Sequence, residues 1–435
     1  MVRALLPFLL LSALARVAPA QPLTLEQKAA LFQYDMEARF LFDGQALCKL
    51  KLPAPQRDFP AYNMPDNAYM TGMYLGALSM KYAVTGADAD RMAARGSLQA
   101  LHLLATVSGK PGLLARAAWP VDRPMDDDGE WRISADGRYR WRGDVSTDQM
   151  DGVFFGLSLA HDLIADEADR ALIAADAAAL ADHVLENGLR IIDADGEPTT
   201  WGKYNPQYAR LLEPMNTILL LQLLKVAHHV TGEARFGEAY RTWAIDKGYA
   251  RTALRARRSL APTVPGAVNH SDDVLLFLAY EPLLRLETDP ELRTAYLESF
   301  RRSWEGAGRF PGMKPEANPL YSFLAAKYLD DPSQVAPGID TLRWFSLDIK
   351  WNRDTIARYE QQFHFTFDPA VCSPEPAPKA PVPIDRREKT WSAWVQDPYN
   401  SAGNRSNEEP IEYNGHDYLL AYWMGRHLGF IRAGE

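Results

Sequence analysis

The sequence predicts an all-α protein built as an (α/α)6 toroid, six helical hairpins in a ring, with a small β-hairpin insertion. Three observations predict it. Six segments repeat one layout, a polar or acidic start followed by a mostly apolar stretch. Six amphipathic segments alternate with them. Short links, two of them carrying helix-stop glycines, join the two kinds. Such repetition implies units that bury their faces against neighbours. A stacked solenoid is the competing arrangement, and it calls for a more regular repeat length than these irregular insertions give.

The apolar segments are 66–86, 148–164, 216–232, 272–287, 318–329 and 416–430. They are apolar on more than one side, which implies burial between layers. Gly86 and Gly232 each follow a threonine at the end of a segment, the position where glycine stops a helix. The amphipathic partners are 25–42, 88–107, 167–189, 234–247, 289–304 and 340–361. Residues 109–147 form a long acidic and aromatic insertion, in which 130–142 alternates around Asp136-Gly137 as a β-hairpin. A similar turn, Asp195-Gly196, lies within 190–212. The proline-rich stretch 371–384 reads as a surface loop, because the helical pattern resumes near Tyr413. Residues 21–435 are therefore expected to form a single toroid domain.

Of the 435 residues 47 % are hydrophobic and 24 % charged, which excludes disorder, collagen-like sequence and fibrous coiled coil. Acidic residues outnumber basic ones, the net charge is −9 and no basic block occurs, which argues against a nucleic-acid partner. Residues 1–20 have the grammar of a signal peptide: Arg3, an apolar run over 4–15, and Ala18-Pro19-Ala20 before the cleavage point. The mature chain is then expected to be periplasmic or secreted. It is also expected not to insert in a membrane, since no later segment approaches 18 uninterrupted apolar residues. Cys48 and Cys372 could form one disulfide in an oxidising compartment, a pairing their spacing leaves open. No cofactor or metal is assigned. Asp126-Asp127-Asp128 and the Asp193, Asp195, Glu197 set are oxygen-rich but lack the closing glutamate of a calcium loop. Phosphate-loop, HExxH and GxSxG motifs are absent.

In a toroid the starts of the inner helices face one end of the central funnel. Asp66, the Asp144/Asp148/Asp151 set, Asp272 with Asp273, and Asp417 all stand at or just before such starts. Helix capping is the plain explanation for any one of them. Their convergence points to chemistry, because like charges in a cleft raise one another's pKa, as a general acid needs. Asp148 and Asp151 are three apart and share a helix face, and Gly152 permits close approach of a ligand or a neighbouring helix. His270 could donate a proton, bond a ligand or cap its helix. His161, His228 and His229 read as core or surface residues. Trp131, Trp141, Trp201, Tyr204 and Trp394 fall in predicted loops and suit sugar stacking. Arg142 could bind an anionic sugar or neutralise Asp144.

The stretch 143–152, GDVSTDQMDG, together with Asn269 to Asp273 and the ending Leu420 to Arg426, resembles a largely uncharacterised family of exported bacterial proteins whose motif is similar to G-D-T-S-S-D-E-I-x-G-H. Gln149 and Val153 replace the glutamate and histidine of that motif. More remotely the layout is similar to six-hairpin glycosidases, among them unsaturated glucuronyl and rhamnogalacturonyl hydrolases. That resemblance implies a catalytic aspartate at an inner-helix start, the place of Asp151 or Asp148. The expected activity is hydrolysis of an oligosaccharide, possibly acidic, by paired carboxylates. Asp148 or Asp151 is the expected acid, and Asp273 or Asp66 the expected base. A polysaccharide lyase is the alternative; it would use His270 or a tyrosine as base, with Arg142 or Asn216 on the uronate carboxylate. A non-catalytic glycan-binding protein is the third possibility.

Overall fold

The structure, a computed structural model, describes residues 23–257, 269–307, 310–400 and 410–435. The expected leader, 1–20, lies outside the described residues. α1 (Leu25–Asp35) is capped by Thr24, whose Oγ1 accepts from the Gln27 amide. α2 (Asn67–Thr85) and α3 (Asp88–Thr106) make one hairpin, α4 (Thr147–Leu163) and α5 (Glu167–Glu186) the next. α6 (Met215–Thr231) precedes α7 (Ala234–Arg241), and α8 (His270–Leu286) precedes α9 (Pro290–Glu305). α10 (Pro319–Tyr328), α11 (Val335–Arg343), α12 (Arg353–Phe363) and α13 (His416–His427) complete the chain.

The helices α2, α4, α6, α8, α10 and α13 pack side by side in that order, and α13 returns to pack on α2. This closes a ring. Its members are the six apolar segments of the sequence, and they are buried along most of their length. The outer layer follows: α3 lies on α2 and α4, α5 on α4 and α6, α7 on α6, α9 on α8 and α10, α11 on α10, and α1 on α13. The chain is thus an (α/α)6 toroid. No helix among the described residues is long and apolar enough to cross a membrane.

One expected element breaks in two. Residues 340–361 do not form one helix, because α11 stops at Arg343 and α12 starts at Arg353. Between them Phe345, Leu347, Ile349 and Trp351 are all buried. Within this link Leu347–Ile349 forms a single 3-10 turn, and Lys350 is buried against Asp417, so tertiary contacts rather than a continued helix hold the chain here. The insertions are small antiparallel sheets. Trp131–Ile133 and Tyr139–Arg142 pair as the expected hairpin, and Ala117–Pro120 adds a third strand. Arg190–Ile192 pairs with Pro198–Lys203. A third sheet joins the two ends of the ring: Ile411–Tyr413 lies beside Lys49–Lys51, which lies beside Ala61–Asn63.

Glycine sets the spacing of α2 and α4. A Cβ added to Gly72 would lie 2.0 Å from the Gly152 carbonyl oxygen, and one added to Gly156 would lie 2.3 Å from that of Gly72. The expected close approach at Gly152 is to this neighbouring helix. No disulfide joins Cys48 to Cys372; both are free. Cys48 is buried, its thiol donating to Asn67 Oδ1 at 3.1 Å and accepting from the Asp66 amide at 3.2 Å. Cys372 is exposed in the proline-rich loop.

Two outcomes are expected. Gly72→Ala forces α2 off α4 and costs about 3 kcal/mol, read as a lowered denaturation midpoint in urea. In the native protein Cys372 reacts with Ellman's reagent at once and Cys48 only after unfolding, because burial pushes the Cys48 thiol well above its usual pKa.

Candidate active site

The starts of α2, α4, α6 and α8 bring together several acids, and few of them act as caps. Asp66 occupies the N-cap position of α2, yet its side chain makes no capping hydrogen bond. Instead Asp66 Oδ1 accepts from Gln149 Nε2 at 3.0 Å and lies 3.6 Å from Arg116 Nη1. The start of α4 is held by Ser146 and Gln149: Gln149 Oε1 accepts from the Ser146 amide at 3.0 Å and from its hydroxyl at 2.7 Å. Gln149, which departs from the family-like motif, therefore ties the α4 start to Asp66. Asp148 is left free of capping duty, and Thr147 Oγ1 donates to it at 3.3 Å.

Asp151 sits one turn deeper and is 1 % exposed; among the described residues neither of its carboxyl oxygens has a hydrogen-bond partner. Gln222 of α6 donates to the Asp151 backbone carbonyl, at 3.2 Å. These environments separate the three acids. Burial, then the neighbouring charge of Asp66, pushes Asp148 up to about 6. Burial, then the charge of Asp148, holds Asp151 well above the carboxylate range. Asp66 is raised by burial too, but Arg116, Lys49, Arg142 and the Gln149 hydrogen bond oppose that rise. Tyr69 and Tyr204 are buried beside these acids, and burial followed by the charge of Asp151 and Asp148 holds both phenols well above their usual pKa.

Asp273 belongs to a second cluster. Arg257 grips it with two nitrogens, at 3.0 and 3.2 Å, and reaches Glu316 Oε1 at 3.4 Å. His270 Nδ1 lies 3.5 Å from Asp273 and 4.0 Å from Glu316, and its Nε2 lies 3.5 Å from Asp397. His270 is raised although burial opposes it, because Asp273, Glu316 and Asp397 favour its cation. Glu316 is pushed up to about 7 by burial and by the charge of Asp273. His270, Asp273 and Glu316 have the donor types and spacing of a metal site, but the Arg257 guanidinium already bonds both acids there. Tyr321, buried and with a hydroxyl that has no partner among the described residues, stands between the clusters, under the influence of Asp273, Glu316 and Tyr69.

The remaining expected site residues fare unevenly. Asp417 is not free in the funnel: it is fully buried and accepts from Lys350 Nζ at 2.7 Å and the Ala393 amide at 2.6 Å. Asp144 bridges insertions, its Oδ1 accepting from the Thr200 amide at 2.7 Å. Asp272 accepts from Asn269 Nδ2 at 2.9 Å, and Asn269 caps α8. Asn216 Nδ2 donates to the Lys203 carbonyl at 2.8 Å, while its Oδ1 is buried with no partner among the described residues. Arg142 pairs with Asp127 at 2.7 Å rather than with Asp144. The loop placement of the aromatics is corrected. Trp131, Trp141 and Trp201 lie in strands. Trp141 is buried beneath Arg132, and Trp394 is buried with its indole N–H on the Asp417 carbonyl, so neither offers a face to a sugar. Trp201 is 56 % exposed. Acids of the two oxygen-rich sets are taken up by the chain's own donors: Asp127 by Arg142, Trp131 and two backbone amides, Asp193 by the Asp144 amide and Arg132.

Sequence reasoning missed Arg116, Arg257, Glu316, Tyr69 and Gln222. Glu316 was within reach, since it precedes the start of α10 as Asp66 precedes that of α2. Arg257 and Arg116 come from links with no periodic signal. A cavity of about 100 Å³ bordered by Leu23, Lys28, Phe345 and Phe367 is lined by none of the funnel acids. Lys28 there is spent on backbone carbonyls of Leu342, Arg343 and Phe345.

No family model matches the chain, and no curated protein matches it in sequence. Among solved structures it is similar to a sugar epimerase from a ruminal bacterium, at 11 % identity and a TM-score of 0.46, over 92 % of this chain and 97 % of that one. It is also similar to a D-mannose isomerase (12 %, TM-score 0.45, 94 % and 97 %) and to cellobiose 2-epimerase from Spirochaeta thermophila (14 %, TM-score 0.40, 93 % and 97 %). No residue role follows from likenesses this distant.

A buried carboxyl raised on folding weakens the fold as pH rises. The native state holds its proton more tightly than the unfolded chain does. Stability is therefore full below the unfolded value and is lost as pH climbs through the folded one. For Asp148 that window runs from 3.8 to about 6. For Asp151 it extends further upward. Asp151→Asn, which keeps the shape and removes the charge, is expected to unfold at higher urea than the parent at pH 8 and at equal urea near pH 4.

Proposed function

We propose that this chain is an exported glycoside hydrolase, with Asp148 as general acid and Asp66 as the ionised carboxylate that completes the reaction. The observation that carries this is the contrast between two adjacent carboxyls at the starts of α2 and α4. Asp148 is pushed up to about 6, a value at which a carboxyl still holds and delivers a proton near neutrality. Burial raises Asp66 too, but Arg116 and Gln149 oppose that rise and favour its negative form. One proton-bearing and one ionised carboxyl are what glycosidic hydrolysis requires. Both side chains are only partly buried, whereas Asp151 is sealed beneath them. Asp151 is then a positioning residue: protonated, it adds no charge below Asp148. Exposed Trp201 and half-buried Tyr208, near Asp148 and Asp272, offer aromatic faces for a sugar at the rim.

Elimination is less well supported. It needs a base, and the candidates are poorly suited. His270 is biased toward its cation, and Tyr69 and Tyr204 are biased toward their neutral phenols. Asp273 is committed to Arg257.

The test is product analysis by mass spectrometry after incubation of the mature protein with neutral and acidic oligosaccharides. Fragments that have gained one water are expected, with activity falling as pH rises above about 6. Asp148→Asn should lower turnover by about 10² to 10⁴ while the folded circular dichroism spectrum is retained. Unsaturated products, or full activity in Asp148→Asn, would overturn the assignment.

A further inference from the structure

The opposite end of the ring holds a second cluster that the proposed reaction does not use. His161 and Asp162 close α4, and His229 closes α6, at the far ends of these helices from Asp148 and Asn216. His161 Nδ1 lies 2.8 Å from Asp162 Oδ1, and His229 Nε2 lies 2.7 Å from the same oxygen. The two imidazole rings meet at 5.1 Å and 71°. All three donor atoms lie within 4.8 Å of one another. The other carboxylate oxygen is occupied, because Arg285 of α8 bonds Asp162 Oδ2. Arg285 is itself fixed by Glu281 at 2.9 Å and Ser158 at 2.8 Å. Asp162 is thus held from behind, with one oxygen turned toward two imidazole nitrogens. The three side chains are 18, 26 and 32 % exposed, so an ion can reach them from solvent.

We propose that His161, Asp162 and His229 bind one divalent transition-metal ion, with zinc as the reference case and water completing its coordination. Two imidazoles and a carboxylate are a donor set that suits such ions. A tetrahedral zinc needs its donors about 3.3 Å apart, given metal–nitrogen bonds of about 2.0 Å. The two nitrogen–oxygen spacings, 2.8 and 2.7 Å, need widen by only about 0.5 Å, a small rotation of two partly exposed rings. Arg285 would serve as the outer partner that orients the carboxylate. The ion would staple the end of α4 to that of α6, on the face opposite the funnel. The His270 cluster differs, because Arg257 fills its centre.

The test is calorimetric titration of the full mature chain, first stripped with EDTA, with zinc chloride. One equivalent is expected to bind, and His229→Gln and Asp162→Asn should each weaken it at least about tenfold. His270→Gln should leave zinc affinity unchanged. Thermal melts of each variant without metal check that the fold persists, and His161→Gln replaces any variant that fails that check. With cobalt in place of zinc, the parent should show the visible bands of a nitrogen- and oxygen-ligated ion, and His229→Gln should not. Absence of saturable binding in the parent, parental affinity in the cluster variants, or a loss confined to His270→Gln would overturn the proposal.

Discussion

The contact between α2 and α4 governs the rest of the molecule. Three helix-interior glycines, Gly72, Gly152 and Gly156, bring two backbones into direct contact, and a fourth, Gly76, makes room for the Phe155 ring. Each costs up to about 1 kcal/mol of helix propensity relative to alanine. The return is geometric. With the helices this close, Asp66 at the start of one faces Gln149 and Asp148 at the start of the other. Tyr69 packs over Gly152, directly beside Asp151. Any side chain at these glycines would open the pair and dilute the electrostatic coupling that distinguishes one acid from the next.

Charge placement within the funnel follows a simple division. On the α2/α4 side the acids outnumber their cations, and protons make up the difference. On the α8/α10 side Arg257 compensates Asp273 and Glu316. At α13 the compensation is complete, with Lys350 and Asp417 both wholly buried. Lys350 also donates to the carbonyls of Thr390 and Trp391, so this pair fastens the segment after the proline-rich loop onto α13. Such a pair adds little net stability over apolar packing, yet losing one member would strand the other. Three acids at equivalent places in the repeat thus do three different jobs.

The architecture was legible because burial between layers writes an unusual signature, apolar on every side of a helix, and six segments carry it. The failure at 340–361 has the same root. The link between α11 and α12 buries Phe345, Leu347, Ile349 and Trp351, so it looks apolar and helix-long although it holds only a single 3-10 turn. The acids of the site were legible as a set but not as individuals. Asp66, Asp148 and Asp417 look alike in sequence, and what separates them is the partner across the ring: Arg116, Asp66 and Lys350 respectively. Those partners lie 50, 82 and 67 positions away, beyond any local pattern. The tryptophans misled for a related reason. Loop composition marked them as available, while strand pairing turned Trp141 inward and left Trp201 outward.

The seam of the ring has a consequence for how the protein is made. Residues 411–413 pair beside 49–51, Glu412 bonds Arg39 and the Asn352 amide, and α13 packs on α2. The first hairpin therefore exposes one apolar wall until residues 411–427 have been synthesised. Contacts spanning most of the chain length make folding slow. A nascent chain stalled or cut short anywhere before α13 leaves an open arc with two unpaired greasy edges, a substrate for chaperones and proteases. Closure of the circle is in this sense a proofreading step: only a chain that includes α13 can hide its core.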